Sequence, residues 1–330
     1  MNTKSKLTLS VQTIVLAAIA WAVLALLFFL LFSVSPSGGE RPEWYGVITY
    51  VLESVAFLAA GLLCFRNWRS SQIVSGRTVW LAIGLGMFSY FIGNLILGYW
   101  ELGLGKSPEV SPGDFFYILT YLFLGWGMLQ AVFTRRLNLT PIQWGILAAI
   151  TVAGIAIAAA FAPSSAASSS LPMPGSVSSV NSHLPVQEQL FAAAPSPVAD
   201  TVPSPEPATA EPEIPAPEWA IALEAQLEPF AGIVSWLYIV GDVILVVMAT
   251  MLLLAFWGGR FSLSWRCIAA AAICFYIADI WFNYAVNYIP DYETGALPEV
   301  FWVFSGCLFA IGAALEYDLS TRRQTRRRRS

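Results

Sequence analysis

One histidine occurs in the 330 residues, His183, and it lies in a stretch rich in Pro, Ser and Ala. Histidine-based zinc sites, Ser-His-Asp triads and phospho-accepting histidine cores therefore have no material to build on. Lysine is confined to Lys4, Lys6 and Lys106, none of them inside a long apolar run, which excludes a retinal Schiff base. Charged side chains of both signs make up only 12% of the chain, and no glycine-rich loop ends in Gly-Lys-Ser or Gly-Lys-Thr to cradle a phosphate. The four cysteines, Cys64, Cys267, Cys274 and Cys307, lie in apolar segments without CxxC spacing and read as packing residues. No cofactor or metal is implied, and no two carboxylates are spaced for acid–base catalysis. The chain is not expected to be an enzyme.

What the chain has instead is apolar length. Hydrophobic residues make up 57%, with 13 Trp, 12 Tyr and 21 Phe. A hydrocarbon layer of ~30 Å needs roughly 20 helical residues to cross it, whereas barrel strands would be ~10-residue alternating segments, and none are visible. The expected fold is an all-α polytopic membrane protein with eight spans, at 11–34, 45–65, 78–100, 114–134, 142–162, 231–257, 263–287 and 299–318. The first apolar run exceeds a signal-peptide core and is read as a retained span.

Charge gives the orientation. Of the 17 basic residues all but Arg41 and Lys106 fall on one side of these spans, and most of the acids fall on the other. By the positive-inside rule both termini are cytoplasmic, in a bacterial inner or plasma membrane or an internal one. Residues 1–10 form a cytoplasmic N-terminus, and 163–217, without Lys or Arg, are expected to be disordered on the outer face. Residues 218–229 read as an interfacial amphipathic stretch, with Trp219, Leu223 and Leu227 against Glu218, Glu224 and Glu228. Residues 319–330 form a basic tail in which Arg322, Arg323, Arg326, Arg327, Arg328 and Arg329 suit anionic lipid, at roughly 1 kcal/mol per residue, or an acidic partner. Nucleic acid is not an expected partner.

The chain also repeats itself. A shift of 185 positions carries Trp80 onto Trp265, Asn94 onto Asp279, Tyr99 onto Tyr284, Asp114 onto Glu299, Tyr117 onto Trp302 and Gly127 onto Gly312. Polar landmarks rarely stay in register by accident, so this reads as a duplication. Four helices per half make the halves parallel repeats: 11–162 holds the first four-helix repeat plus the first helix of the second, and 231–318 holds the remaining three.

Ionisable groups at membrane depth cost ~2.5–3.5 kcal/mol on insertion scales and mark candidate sites. Glu53, Asp242 and Asp279 are the acids within spans, and Asn94 takes the place equivalent to Asp279. With Tyr99 and Tyr284 they are expected to line an outward-facing polar cavity that takes a small molecule or cation; the alternative is hydrogen-bonded glue between helices. Ser111-Pro112-Gly113-Asp114 opens the fourth span and Leu297-Pro298-Glu299 the eighth. Proline in the first turn with an acid just after it is a helix start, and Ser111 with Asp114 forms a capping box. Ser111, Asp114 and Glu299 are thus expected as caps, as the cavity rim, or as both.

Trp80, Gly84, Tyr90, Gly93-Asn94, Tyr99, Glu101, Ser111-Pro112-Gly113-Asp114 and Tyr117, followed by Ala278-Asp279, Tyr284, Thr294-Gly295 and Trp302, resemble an uncharacterised bacterial integral-membrane sensor domain. In that family the domain often precedes GGDEF or GGDEF-EAL modules of cyclic-di-GMP enzymes. The resemblance covers helices two to four and six to eight. It departs at Asn94, where the family carries an acid, and no GGDEF module is present. The resemblance implies a sensor that signals through a cytoplasmic partner. The residues leave open a proton-coupled or small-solute transporter and an assembly subunit of a membrane complex.

Overall fold

The structure, a computed structural model, describes residues 10–34, 41–106, 108–133, 140–160, 216–256, 262–289 and 292–327. His183, nearly all of the stretch expected to be disordered, and Arg328 and Arg329 lie outside them, as do the side chains of Arg323, Arg326 and Arg327. Helices are α1 (Val11–Phe32), α2 (Glu43–Arg69), α3 (Arg77–Gly98), α4 (Pro112–Phe133), α5 (Pro141–Ala160), α6 (Glu218–Leu227), α7 (Ala231–Ala255), α8 (Ser262–Tyr288) and α9 (Val300–Arg327). No strand occurs among the described residues. Seven helical runs are long and apolar enough to cross a membrane: Val11–Phe32, Trp44–Arg69, Arg77–Gly103, Pro112–Phe133, Glu218–Ala255, Leu263–Tyr288 and Leu297–Arg322. The remaining expected span corresponds to α5, whose apolar part Pro141–Ile157 is shorter.

Local chemistry sets the helix ends. Ser10 caps α1 by accepting from the Thr13 N–H at 3.1 Å. Thr140 and Gln143 bond reciprocally ahead of Pro141 to open α5, as a capping box requires. Several helices outrun the apolar spans read from sequence, α2 among them, which runs to Arg69. A π-helical turn, Tyr99–Gly103, extends α3. At the other end of the chain the expected tail is helical through Arg327: Arg322 pairs with Asp318 at 2.8 Å one turn earlier, and cations suit the negative end of the helix dipole.

Six helices pack in a cycle, α2 on α3, α3 on α4, α4 on α7, α7 on α8, α8 on α9 and α9 back on α2. Outside the cycle α1 leans on α9 and α2, and α5 on α7. Their outward residues, among them Leu16, Leu27, Leu31, Ile142 and Val152, are exposed apolar side chains, as lipid contact demands. Small residues set the closest crossings. The Gly93 and Gly113 backbones meet between α3 and α4, Gly306 of α9 abuts Ala56 and Phe57 of α2, and Gly241 of α7 receives the ring of Tyr121.

The 185-residue register runs through this packing. Trp80 and Trp265 meet with ring centroids 5.8 Å apart. Gly127 rests on Ile83 as Gly312 rests on Ile268. The register also exposes a size exchange: Tyr121 stands over Gly241, and at the corresponding crossing Gly306 stands over Ala56. One bundle end gathers Glu101, Glu224, Glu293 and Glu299 (the acidic end), the other Arg66, Arg69, Arg77 and Arg322 (the basic end). At the basic end the Arg66 guanidinium lies 4.2 Å over the Tyr317 ring, and the Asn67 amide donates to the Ala313 carbonyl at 2.9 Å.

Candidate functional site

On a helix, residues at i, i+3 and i+7 share a face. In α4 these are Asp114, Tyr117 and Tyr121, and the face turns inward. Asp114 is held as a cap: its Oδ2 accepts from the Ser111 N–H at 2.7 Å and the Ser111 hydroxyl at 3.0 Å, while Ser111 Oγ accepts from the Gly113 N–H. Its Oδ1 accepts from the Tyr238 hydroxyl of α7 at 2.5 Å. One arm of the capping box read from sequence is present, the Asp114 carboxylate on the Ser111 N–H, while Ser111 Oγ takes the Gly113 N–H instead of that of Asp114; the same carboxylate also joins α4 to α7.

One turn deeper the Tyr121 hydroxyl lies 2.8 Å from Asp242 Oδ1 and 2.5 Å from Asp279 Oδ2. A phenol has one hydrogen to give. Tyr121 donates to one carboxyl, and the two carboxyls also hydrogen-bond each other, which takes one acidic proton between them. The Asp242–Tyr121–Asp279 triad therefore carries a shared acidic proton. The Trp302 indole adds a donor to Asp279 Oδ1 at 2.6 Å.

In the register-equivalent place Asn94 makes the matching contact, accepting from the Tyr117 hydroxyl at 3.3 Å where Asp279 accepts from Trp302. Its amide donates to Ser54 Oγ at 3.1 Å and to the Tyr50 carbonyl at 3.4 Å. Asn94 is thus satisfied with no partner charge.

Glu53, 3% exposed, meets the Tyr90 hydroxyl at 3.4 Å through Oε2, and its Oε1 has no hydrogen-bond partner among the described residues. Tyr90 is fixed by stacking on Phe57 at 3.7 Å and by the edge of Phe275. Glu53 lies within electrostatic reach of Glu299, Glu101 and Asp279.

At the acidic end Glu299 is fully buried and accepts from the Gly295 N–H at 2.7 Å, the Ala296 N–H at 3.2 Å and the Tyr292 hydroxyl. Gly295, at φ 111°, sits where a Cβ would lie 2.6 Å from the Tyr45 ring, and its carbonyl accepts from the Tyr45 hydroxyl at 2.5 Å. Burial, and then the Glu299 charge, push the Tyr292 phenol above its ordinary range. Glu101 accepts from Tyr50 at 2.7 Å and Thr294 at 3.1 Å, tying α2 to the segment before α9. Glu224 of α6 accepts from Trp100 at 3.0 Å and Lys106 at 2.8 Å, fastening that helix to the π turn.

The sequence candidates Glu53, Asn94, Asp242, Asp279, Ser111, Asp114 and Glu299 therefore belong to one acid–aromatic region. Among the described residues Tyr99 makes no hydrogen bond to it. Tyr99 is half exposed beside Trp100, and Tyr284 stacks on Tyr288 at 5.4 Å. Glu299 is a buried cap rather than an exposed rim. Sequence reading passed over Tyr121, Trp302, Tyr50, Tyr292 and Thr294 as site residues; the helical spacing of Asp114, Tyr117 and Tyr121 was the one signal that pointed to the first. No Lys or Arg hydrogen-bonds to Glu53, Asp114, Asp242, Asp279 or Glu299 among the described residues, and no group of three or more His, Cys, Asp or Glu there suits a metal ion. A scan against family models gives no match for this chain, and neither curated proteins nor solved structures give one.

Proposed function

We propose that the chain is a membrane-embedded ligand-binding protein with a sensory task, which passes a ligand-dependent helix shift to a cytoplasmic partner. The observation that carries this reading is the convergence of Asp242, Asp279 and Glu53, from three different spans, on one buried acid–aromatic network that shares a proton at Tyr121. Buried acids cost stability unless they are used or fully paired, and Glu53 is neither fully paired nor exposed. The resemblance to sensor domains points the same way.

The finer architecture belongs to the same proposal. It has eight spans with α5 among them, two parallel four-helix repeats, and both termini on the cytoplasmic side, so that the acidic end faces outward. The 185-residue register of the packing and the separation of acids from basic residues support it. In this reading α6 lies along the outer surface, and the terminal arginines meet anionic lipid or the partner. A ligand shifts the helices only if it binds their two arrangements differently, and α4 and α9 are placed to respond because each carries a carboxylate cap and a donor to the network.

A thermal-shift screen of cations, polyamines and lipids, with Asp279→Asn beside the wild type, tests this. At least one compound is expected to raise the melting temperature of the wild type and not of the variant; equal responses throughout would remove the ligand site. A proton-coupled carrier is the second reading, favoured by the shared proton on the Asp242–Tyr121–Asp279 triad. Under it, pH-driven uptake into proteoliposomes should occur and be abolished by Asp279→Asn, whereas the sensor reading expects no uptake in either.

A further inference from the structure

The 185-residue register lets the chain serve as its own reference. Glu53 corresponds to Tyr238, and Asp114 corresponds to Glu299. Between α7 and α4 the pair is a donor facing an acceptor, since the Tyr238 hydroxyl donates to Asp114 at 2.5 Å. Between α2 and α9 both members are carboxyls. Glu299 is committed to Tyr292, Gly295 and Ala296, all of which donate to it. Glu53 keeps one free oxygen, buried and without a partner among the described residues, in reach of Glu299 and Glu101. Arg41, the basic residue at this end of α2, is turned to the Glu293 and Thr294 carbonyls at 3.1 Å each. The α2–α9 side thus has one acceptor too many and lacks the donor that Tyr238 supplies opposite.

We propose that this donor is the ligand's, and that Glu53 is the anchor for a primary ammonium group bound between α2 and α9, with Glu299 facing it. The inference rests on the ligand-binding reading and names its chemistry. An ammonium carries several N–H donors and one positive charge, which suits an orphan carboxyl oxygen amid further acids. A bare metal ion fits less well, because no group of acids among the described residues has the geometry to hold one.

The test uses the full chain in nanodiscs, with butylammonium and spermidine as probes and with butanol and sodium chloride as controls. Either amine should raise the melting temperature of the wild type, and butanol and sodium should not. Glu53→Gln keeps the shape and offers an amide donor toward Glu299, so it should stay folded while its amine affinity falls roughly 30-fold or more, as loss of a buried charge partner implies. Glu53→Tyr, which installs the phenol of the other side, should abolish the amine response. Amine binding unchanged in Glu53→Gln overturns the inference. So does a response to sodium or butanol equal to that for the amines. If a neutral compound or lipid stabilises the wild type but not Asp279→Asn, the ligand site survives and the ammonium assignment fails. If no compound stabilises the wild type, both fail.

Discussion

Tyr121→Phe is expected to destabilise the protein by about 2–5 kcal/mol, because a single lost oxygen takes a hydrogen bond from each of two carboxyl groups at once. Both Asp242 and Asp279 lean on that phenol, at 2.8 and 2.5 Å, and the proton between the acids is placed by it. Asp279 retains the Trp302 indole, and the two carboxyls retain the hydrogen bond between them, so the loss is confined to the two contacts with the phenol. The control lies close by: the Tyr276 hydroxyl has no hydrogen-bond partner among the described residues, so Tyr276→Phe should change stability by less than ~0.5 kcal/mol. Melting curves of the two variants in the same detergent decide the matter. If Tyr121→Phe melts with Tyr276→Phe and the wild type, the triad is not a coupled unit.

The second large effect is steric. Gly306→Leu should prevent accumulation of folded protein, at a cost of about 3 kcal/mol or more. Even a Cβ at this position would lie 2.8 Å from the Ala56 Cβ, 3.0 Å from the Ala56 carbonyl carbon and 3.1 Å from the Phe57 nitrogen. Two of those atoms are main chain and cannot rotate away. Relief requires α2 and α9 to separate, and that would pull Phe57 from its stack on Tyr90 and move Glu53. Gly125→Leu on α4 provides the comparison, since a Cβ there meets nothing within 4 Å. Size-exclusion profiles should show a sharp peak for Gly125→Leu and aggregate or no protein for Gly306→Leu; like profiles would mean that α2 and α9 do not meet as described.

Hydropathy announced the seven helices long and apolar enough to cross a membrane. Helix ends were less legible, because hydropathy registers lipid contact and ignores the hydrogen bonds that carry α3 into its π turn and α9 onward past Asp318. The acids stood out because few occur in apolar runs. Their aromatic partners stood out less: among 12 Tyr and 13 Trp, the spacing from Asp114 puts Tyr121 on an inward face, but nothing local says that it bridges two acids while Tyr99 is half exposed. That difference depends on which neighbour each helix face meets, and only the packing of distant spans decides it. Glu299 shows the same limit, since its cap was legible and its complete burial was not.

The exchange of bulk between the two corresponding crossings restricts what either half can associate with. The half bearing Tyr121 also bears Ala56 and Phe57, and the half bearing Gly241 also bears Gly306. Two copies of the former would drive a phenol ring into a crossing that has no glycine, and two copies of the latter would face glycine with glycine and leave a hole. Expressed as separate polypeptides, the fragments should therefore assemble as mixed pairs and reject self-pairing.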